Sequence, residues 1–390
     1  MLVIVYFIYF VGYFFVFALA GRLYKEPALK QGSKKKFVVL IPAYKEDAVI
    51  ISVGKKALTQ SYPQELYDVV IIADSLQPET ISELRQLPLT VIEVHFDKST
   101  KVKSLNFAIG QITKEYDYAI ILDADNVMYS DFIERLNDHH YANRQAIQGQ
   151  RVPKNKQNSL AFLDGLSEAI NNHIYRQGTT ALGLSASING SGISIDFHML
   201  KTILSGMNSV GGFDRELELL LLAQGQKVFY LKSAKVFDEK VQVDSVFENQ
   251  RKRWISSQYI YLAKYFKPGM LMLLKGDFTY FNSAILRNIQ LPRLINIGLL
   301  FLFTLFFTLL PIDLVIPPVT WLMLGCGLIA ALLLSIPDEY YTIDLMKSIF
   351  KIPGIFFKML LILFRLRDAN KKFIHTPHFE TKIDTENKIK

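Results

Sequence analysis

A single cysteine, Cys326, stands in 390 residues, so no disulfide framework can hold this chain together. No Gly-x-Gly-x-x-Gly turn follows its first apolar run, and no Gly-x-x-x-x-Gly-Lys-Ser/Thr loop occurs anywhere. The dinucleotide-binding and P-loop readings therefore lose their usual support. Charge is missing over three long stretches: residues 1–21, the run between Arg293 and Asp313, and residues 314–337 contain no Asp, Glu, Lys or Arg. Each is long enough to cross a hydrocarbon core of about 30 Å as a helix. With hardly any ionisable groups inside them, these spans offer a transporter no polar path.

Half of the residues are apolar, which fits a chain partly dissolved in lipid. Pro311, Pro317 and Pro318 separate the second and third runs, so these read as a hairpin of spanning helices and the expected count is three. "ALAG" at Ala18–Gly21 resembles a signal-cleavage site, but no cation precedes the first run, which favours a retained span. Arg22, Lys25, Lys30 and Lys34 to Lys36 follow that span, and Lys264, Lys267, Lys275, Arg287 and Arg293 precede the second. The segment between them should face the cytoplasm. The membrane boundary thus accounts for most of the net charge of +8, and nucleic acid need not be invoked. From Asp344 to Arg367, Lys347, Lys351, Lys358 and Arg365 are spaced four, seven and seven apart and so share one helical face. Such a helix is expected to lie in the membrane surface, kinked at Pro353, with the cationic face of a soluble helix as the alternative.

Between Lys36 and Trp254 the pattern changes. Apolar runs at 37–41, 68–74, 89–94 and 118–122 alternate with helical periodicity around 48–60, 79–86 and 103–112. This predicts an α/β fold whose mostly parallel sheet is covered on both faces. Ligands of such sheets bind beyond the carboxyl ends of the strands, where this chain places its polar groups. Asp74 ends the second strand, Lys103 and Asn106 follow the third, and "YAIILDADNVMYSD" ends the fourth on Asp123 and Asp125. An Asp-x-Asp can be simple turn chemistry. It can also supply hard oxygen ligands to a divalent cation that holds a substrate diphosphate.

In order, "IPAYKE", "IIADS", "KSLN", "DADN", "NGSG", "GGFDRELELLLLAQGQKVFY" and "QRKRW" resemble the membrane-embedded family-2 glycosyltransferases, the group of cellulose, chitin and hyaluronan synthases. The resemblance covers roughly residues 37–260. It implies a GT-A-like nucleotide-sugar-binding domain over 37–260, preceded by a transmembrane helix (1–21) and a basic linker (22–36). An interfacial segment (261–293), a transmembrane hairpin (294–337), the interfacial amphipathic helix (344–367) and a polar tail (368–390) would follow. It also implies that Asp74 faces the base or ribose, that Lys103 lies near the base, and that Asp123 and Asp125 meet the nucleotide and bind Mg2+ or Mn2+. Gln250, Arg253 and Trp254 match the Gln-x-x-Arg-Trp motif, whose arginine contacts diphosphate and whose tryptophan borders the acceptor. Asn189–Gly192 resembles the loop beside the acceptor sugar.

The chemistry suits these residue types. The sugar carbon becomes oxocarbenium-like as the leaving group departs, and a cation and a guanidinium can neutralise the charge growing on the diphosphate. The family's catalytic base is the Asp of a Glu-Asp pair about ten residues before a glycine. Here Arg215 and Glu216 align with that pair, which makes Glu216 the expected base, with Glu218 and Asp214 as competitors. Lys45 replaces the family's usual Asn, and His378 in "FIHTPHF" replaces a basic residue of a gating segment. Arg251, Lys252 and Arg253 have a second reading, as a cationic collar before an interfacial helix. The resemblance implies an inverting, metal-dependent transfer from a nucleotide sugar, UDP-linked, to a glycan or lipid-linked acceptor at the inner membrane, in surface or exopolysaccharide synthesis. The departures at Lys45 and Arg215–Glu216 motivate an alternative, an inactive scaffold in a polysaccharide assembly complex.

Overall fold

The computed structural model describes residues 1–27, 32–140, 144–208, 211–309 and 316–366. Lys30, Pro311, Asp313, Arg367, the tail 368–390 and the "FIHTPHF" segment with His378 lie outside the described residues. The chain divides into two compact units. One comprises Glu26–Lys156 and Ser185–Val241; the other comprises Met1–Lys25, Gln157–Leu184 and the described residues from Gln242 onward. The stretch 37–260 is therefore shared between two units.

The first unit is built on an eight-stranded sheet of order β3-β2-β1-β4-β7-β6-β8-β5. Its strands are β1 (Phe37–Tyr44), β2 (Tyr67–Asp74), β3 (Thr90–Val94), β4 (Tyr118–Ile121), β5 (Val127–Met128), β6 (Ala146–Pro153), β7 (Ile193–Asp196) and β8 (Val228–Asp238). The four strands legible as apolar runs form the parallel block β3-β2-β1-β4. Beyond it the sheet is mixed: β7 runs antiparallel to both β4 and β6, β6 is parallel to β8, and β5 is antiparallel to β8. The sheet is mostly parallel, as the sequence pattern predicts, with β7 and β5 running against the other six strands.

Val39, Ile41, Val69, Ile71 and Ile120 are almost fully buried in one core. Each such side chain contributes about 1.5–3 kcal/mol. Helices Ile50–Ala57, Pro78–Leu84 and Lys101–Gln111 connect these strands, within a few residues of the predicted positions. The register sets Tyr44 opposite Asp74 and Leu40 opposite Ile121, so the carboxyl ends of β2, β1 and β4 lie side by side.

The second unit is helical. Leu2–Leu23 and Pro318–Ser335 are each long and apolar enough to cross a membrane. The expected middle span is a broken pair, Phe278–Ile289 and Arg293–Leu309, bent by 58°. The bend has identifiable causes. Pro292 interrupts the chain after a wide turn at Asn282–Leu286, and polar side chains collect the freed backbone groups. Gln258 Nε2 donates to the carbonyls of Asn288 and Gln290, at 3.0 and 2.6 Å, and Leu291 N donates to Tyr6 Oη at 2.8 Å. Tyr6 and Tyr13 of the N-terminal helix in turn donate to Asn296 and Asn282. Loss of that helix would take from each of these buried amides the hydroxyl that donates to its carbonyl oxygen, a packing argument for a retained span.

The predicted amphipathic helix is two helices, Ile343–Ile349 and Ile352–Leu363, with Pro353 in the first turn of the second. Phe350, Phe357 and Phe364, seven residues apart, are all strongly exposed. Lys358 is paired with Asp244 and Glu248.

Candidate active site

Within the sheet unit, one ammonium gathers several of the motif segments. Lys101 opens the helix Lys101–Gln111, whose N-cap is Thr100. Its Nζ donates to Asp123 Oδ1, donates to the carbonyl of Gly190 at 2.7 Å, and lies 5.3 Å from the centre of the Phe213 ring. The end of β4, the Asn189–Gly192 loop and the start of the helix Phe213–Ala223 therefore meet at one cation. Lys103, the expected lysine, points elsewhere: its Nζ donates to the carbonyl of Lys98 at 3.0 Å. Helical periodicity explains the difference. Lys101 shares a stripe with the buried Ser104, Leu105 and Ala108, whereas Lys103 shares one with the exposed Phe107. That stripe was a signal available in the sequence.

Asp123 and Asp125 are both turn residues and candidate ligands, so the two readings coincide. Asn126 N closes the turn on the Asp123 carbonyl at 3.0 Å. Asp123 N donates to Ser191 Oγ at 2.9 Å. With its amide oriented to satisfy both sides, Asn126 donates to the Asp125 carboxylate at 3.1 and 3.0 Å and accepts from Ser191 Oγ at 2.8 Å. The buried Lys154 donates to the Asp125 carbonyl. Asp125 is 5% exposed, while the Asp123 side chain retains 35%. Only Asp123 presents its carboxylate broadly to solvent.

Asp74 lies on the same sheet edge, with β1 between it and β4. Ser75 Oγ donates to its Oδ1 at 3.1 Å, whereas Oδ2 is buried and meets no donor among the described residues. The flanking backbone is strained: Lys45 and Ser75 have φ of +57° and +58°, and Lys45 N donates to the Asp74 carbonyl. The left-handed position at Lys45 gives a physical reason for the family's Asn, because Asn tolerates αL far better than Lys.

Three acids occupy the helix Phe213–Ala223. Glu216 is 4% exposed, and Glu218 is fully buried with Oε2 accepting from Ile188 N at 3.1 Å. Asp214 is partly exposed in the first turn, and a Cβ built on Gly190 would lie 3.8 Å from its Cβ. Among the three, Asp214 is the partly exposed acid beside Gly190 of the acceptor-like loop, and Phe213, its neighbour in sequence, meets Lys101. In that loop, both side-chain polar atoms of Asn189 are buried without partners among the described residues.

Gln250, Arg253 and Trp254 lie on the helix Asp244–Leu274, in the other unit. Gln250 Oε1 is buried without a donor among the described residues, and Trp254 is 39% exposed. Burial lowers the pKa of the Arg253 guanidinium from its usual value.

No cluster of three or more His, Cys, Asp or Glu side chains suited to a metal occurs among the described residues. The exposed Asp123 carboxylate could contribute to a hard cation that draws its other ligands from a diphosphate and water, as Mg2+ commonly does, whereas the Asp125 carboxylate is buried and accepts from Asn126.

A model of the family described as "Glycosyltransferase like family 2" matches residues 35–257. Comparison with curated proteins finds none that matches the sequence. Among solved structures, the chain is similar to a mannosyltransferase from Pyrobaculum calidifontis in complex with GDP-Man and Mn2+, with 16% identity and a TM-score of 0.53 over 83% of this chain and 94% of that one. At that identity the likeness bears on the fold, which it identifies as GT-A-like.

Proposed function

The chain belongs to the glycosyltransferase family 2-like proteins, and from that premise we propose that it transfers a sugar, with inversion, from a nucleotide diphosphate donor to a glycan or lipid-linked acceptor at a membrane. The donor proposed is a UDP-sugar. GDP-mannose, bound by the structural neighbour, is the competitor to test beside it. The observation that carries the reading is the convergence of Asp123, the Gly190 carbonyl and the Phe213 ring on Lys101 at the carboxyl edge of the sheet.

Each role follows from chemistry at a stated atom. Asp74 Oδ2, buried and unmatched, suits a nucleoside N–H or hydroxyl donor. A divalent cation, Mg2+ or Mn2+, would be held by Asp123 and Asp125 and would offset charge on the diphosphate. Lys101 already neutralises Asp123 and adds positive potential where the leaving group gains charge. Arg253 is assigned the diphosphate, and Gln250 and Trp254 the acceptor side, as the motif implies. For the base we favour Asp214 over the expected Glu216, because a base must reach an acceptor hydroxyl and Glu216 is buried. If Asp214 supplies the base, the Arg215–Glu216 departure no longer favours the scaffold alternative, while Lys45 remains a departure at a strained position that suits Asn better.

Two helices long and apolar enough to cross a membrane support a membrane protein. We assign it to the inner membrane with its sheet unit cytoplasmic, from the cations flanking the spans. The exposed phenylalanines of 343–364 suit a lipid surface. The test is nucleotide release from a panel of UDP-sugars and GDP-mannose by the purified protein with Mg2+ or Mn2+. Asp123→Asn should abolish release while leaving the thermal midpoint near wild type. Full activity in that variant would defeat the proposal.

A further inference from the structure

In the helical unit, Phe247, Arg251 and Trp254 share one face of the helix Asp244–Leu274 at the i, i+4, i+7 spacing. The Arg251 guanidinium is sandwiched between the two rings, 4.7 Å from the Phe247 centroid and 4.4 Å from that of Trp254. Its Nη2 pairs with Asp164 Oδ1 on the helix Ser159–Asn172. Both side chains are nearly buried, at 13% and 10% exposure. Arg251 is thus no part of a solvated cationic collar. Asp164 is itself well anchored, because its helix presents a polar stripe that also receives Arg293, at Ser167 and Asn171, and Arg176, at Glu168 and Asn172.

Trp254 is the exposed end of this stack. A large ring at a helix surface ordinarily samples several rotamers. A guanidinium fixed by a buried carboxylate holds the ring face in one plane, because cation–π attraction is lost when the ring turns. We propose that Arg251, held by Asp164, is a positioning residue for Trp254 and fixes the ring plane on which the acceptor sugar is received. This rests on the acceptor role assigned to Trp254 in the proposed function. Lysine could not serve equally, since it lacks the planar fork that stacks on a ring and meets a carboxylate together.

The chain has two tryptophans, so Trp321→Phe leaves Trp254 as the single fluorophore. In that background, Arg251→Met should increase acrylamide quenching of Trp254 about twofold or more, as expected for a ring released from a partly desolvated stack. In membranes carrying their own acceptors and supplied with radiolabelled donor, the ratio of sugar transferred to sugar hydrolysed should fall about five- to thirtyfold, the span of a cation–π contact. The donor KM should stay at its wild-type value, and Arg251→Lys should restore only part of the ratio. Because Arg251→Met strands a buried carboxylate, the double variant Asp164→Asn/Arg251→Met is measured alongside it. Wild-type quenching and partition in the double variant would overturn the proposal. Trp254→Ala separates the two levels. A wild-type partition in it refutes the acceptor role of Trp254 and this inference with it, whereas a lowered partition there with Arg251→Met unaffected refutes the positioning role alone.

Discussion

Replacing the three acids of the Phe213–Ala223 helix one at a time tests which of them takes the acceptor proton. Asp214→Asn removes a base while preserving size, so turnover should fall by about 10²–10⁴. That loss corresponds to about 3–5 kcal/mol on the barrier. Glu216→Gln changes an almost buried group and should cost less than about tenfold, because a side chain with 4% exposure has little access to a bulky acceptor. Glu218→Gln keeps an oxygen for Ile188 N at 3.1 Å and weakens that hydrogen bond by the charge it removes, roughly 1 kcal/mol of stability, with turnover retained. The assay is coupled nucleotide release at saturating donor, with a thermal midpoint for each variant and a pH–rate profile. Near wild-type turnover in Asp214→Asn, with collapse in a folded Glu216→Gln, would refute the geometric argument and restore the residue that spacing alone favoured.

The two lysines of "KVKSLN" should separate sharply. Lys101→Met should raise the donor KM and lower kcat at least tenfold, because it leaves Asp123 without its partner, whereas Lys103→Met should stay within about twofold in the same kinetics. His140 supplies a pH dependence of stability. Burial, chiefly, lowers its pKa from 6.5 to about 3, aided by the nearby charges of His139, Arg144 and Lys35 and opposed by its bond to the Arg144 carbonyl. Its stabilising effect is therefore complete above the unfolded value of 6.5 and is lost as pH falls toward 3, at about 1.4 kcal/mol per unit. Denaturation should show about 2 kcal/mol lost between pH 6.5 and 5, and His140→Gln should flatten that slope. Lys45→Asn should raise stability by about 0.5–1 kcal/mol in the same measurement by relieving the left-handed backbone at φ +57°.

The parallel half of the sheet was legible because β1, β2 and β4 are buried on both faces and so read as unbroken apolar runs. The other half was hidden by its own polar interior. β6 carries Gln148, fully buried but donating to the carbonyls of Gly149 and Ser191, and β8 is interrupted by Lys232 and Lys235. These strands hold the site's loops in place, and the amides that do so break the apolar pattern by which strands are recognised. The same conflict split the membrane part. The broken span Phe278–Leu309 has amides and an arginine where the bend needs partners, so only its second limb is charge-free enough to read from sequence.

The site shows a related asymmetry between residue type and residue position. The segments picked out by motif order come together: the Asp-x-Asp turn, the Asn189–Gly192 loop and the acid-bearing helix all bear on Lys101. Choosing among neighbours within a motif required knowing which side chain faces inward, and that is decided by packing. Lys101 against Lys103 and Asp214 against Glu216 are both choices between residues two apart, which on a helix point about 200° away from each other. On the proposed assignment, a shift of two positions exchanges a group in the site for one outside it. For Lys101 the buried stripe through Ser104, Leu105 and Ala108 settles the choice; for Asp214 the criterion reverses, since the useful acid is the one left accessible. A structural lysine at a carboxylate needs shelter to strengthen its pairing, while a base needs an open approach for the hydroxyl it deprotonates. Burial therefore argues for one and against the other, and only the chemistry required of each position says which way to read it.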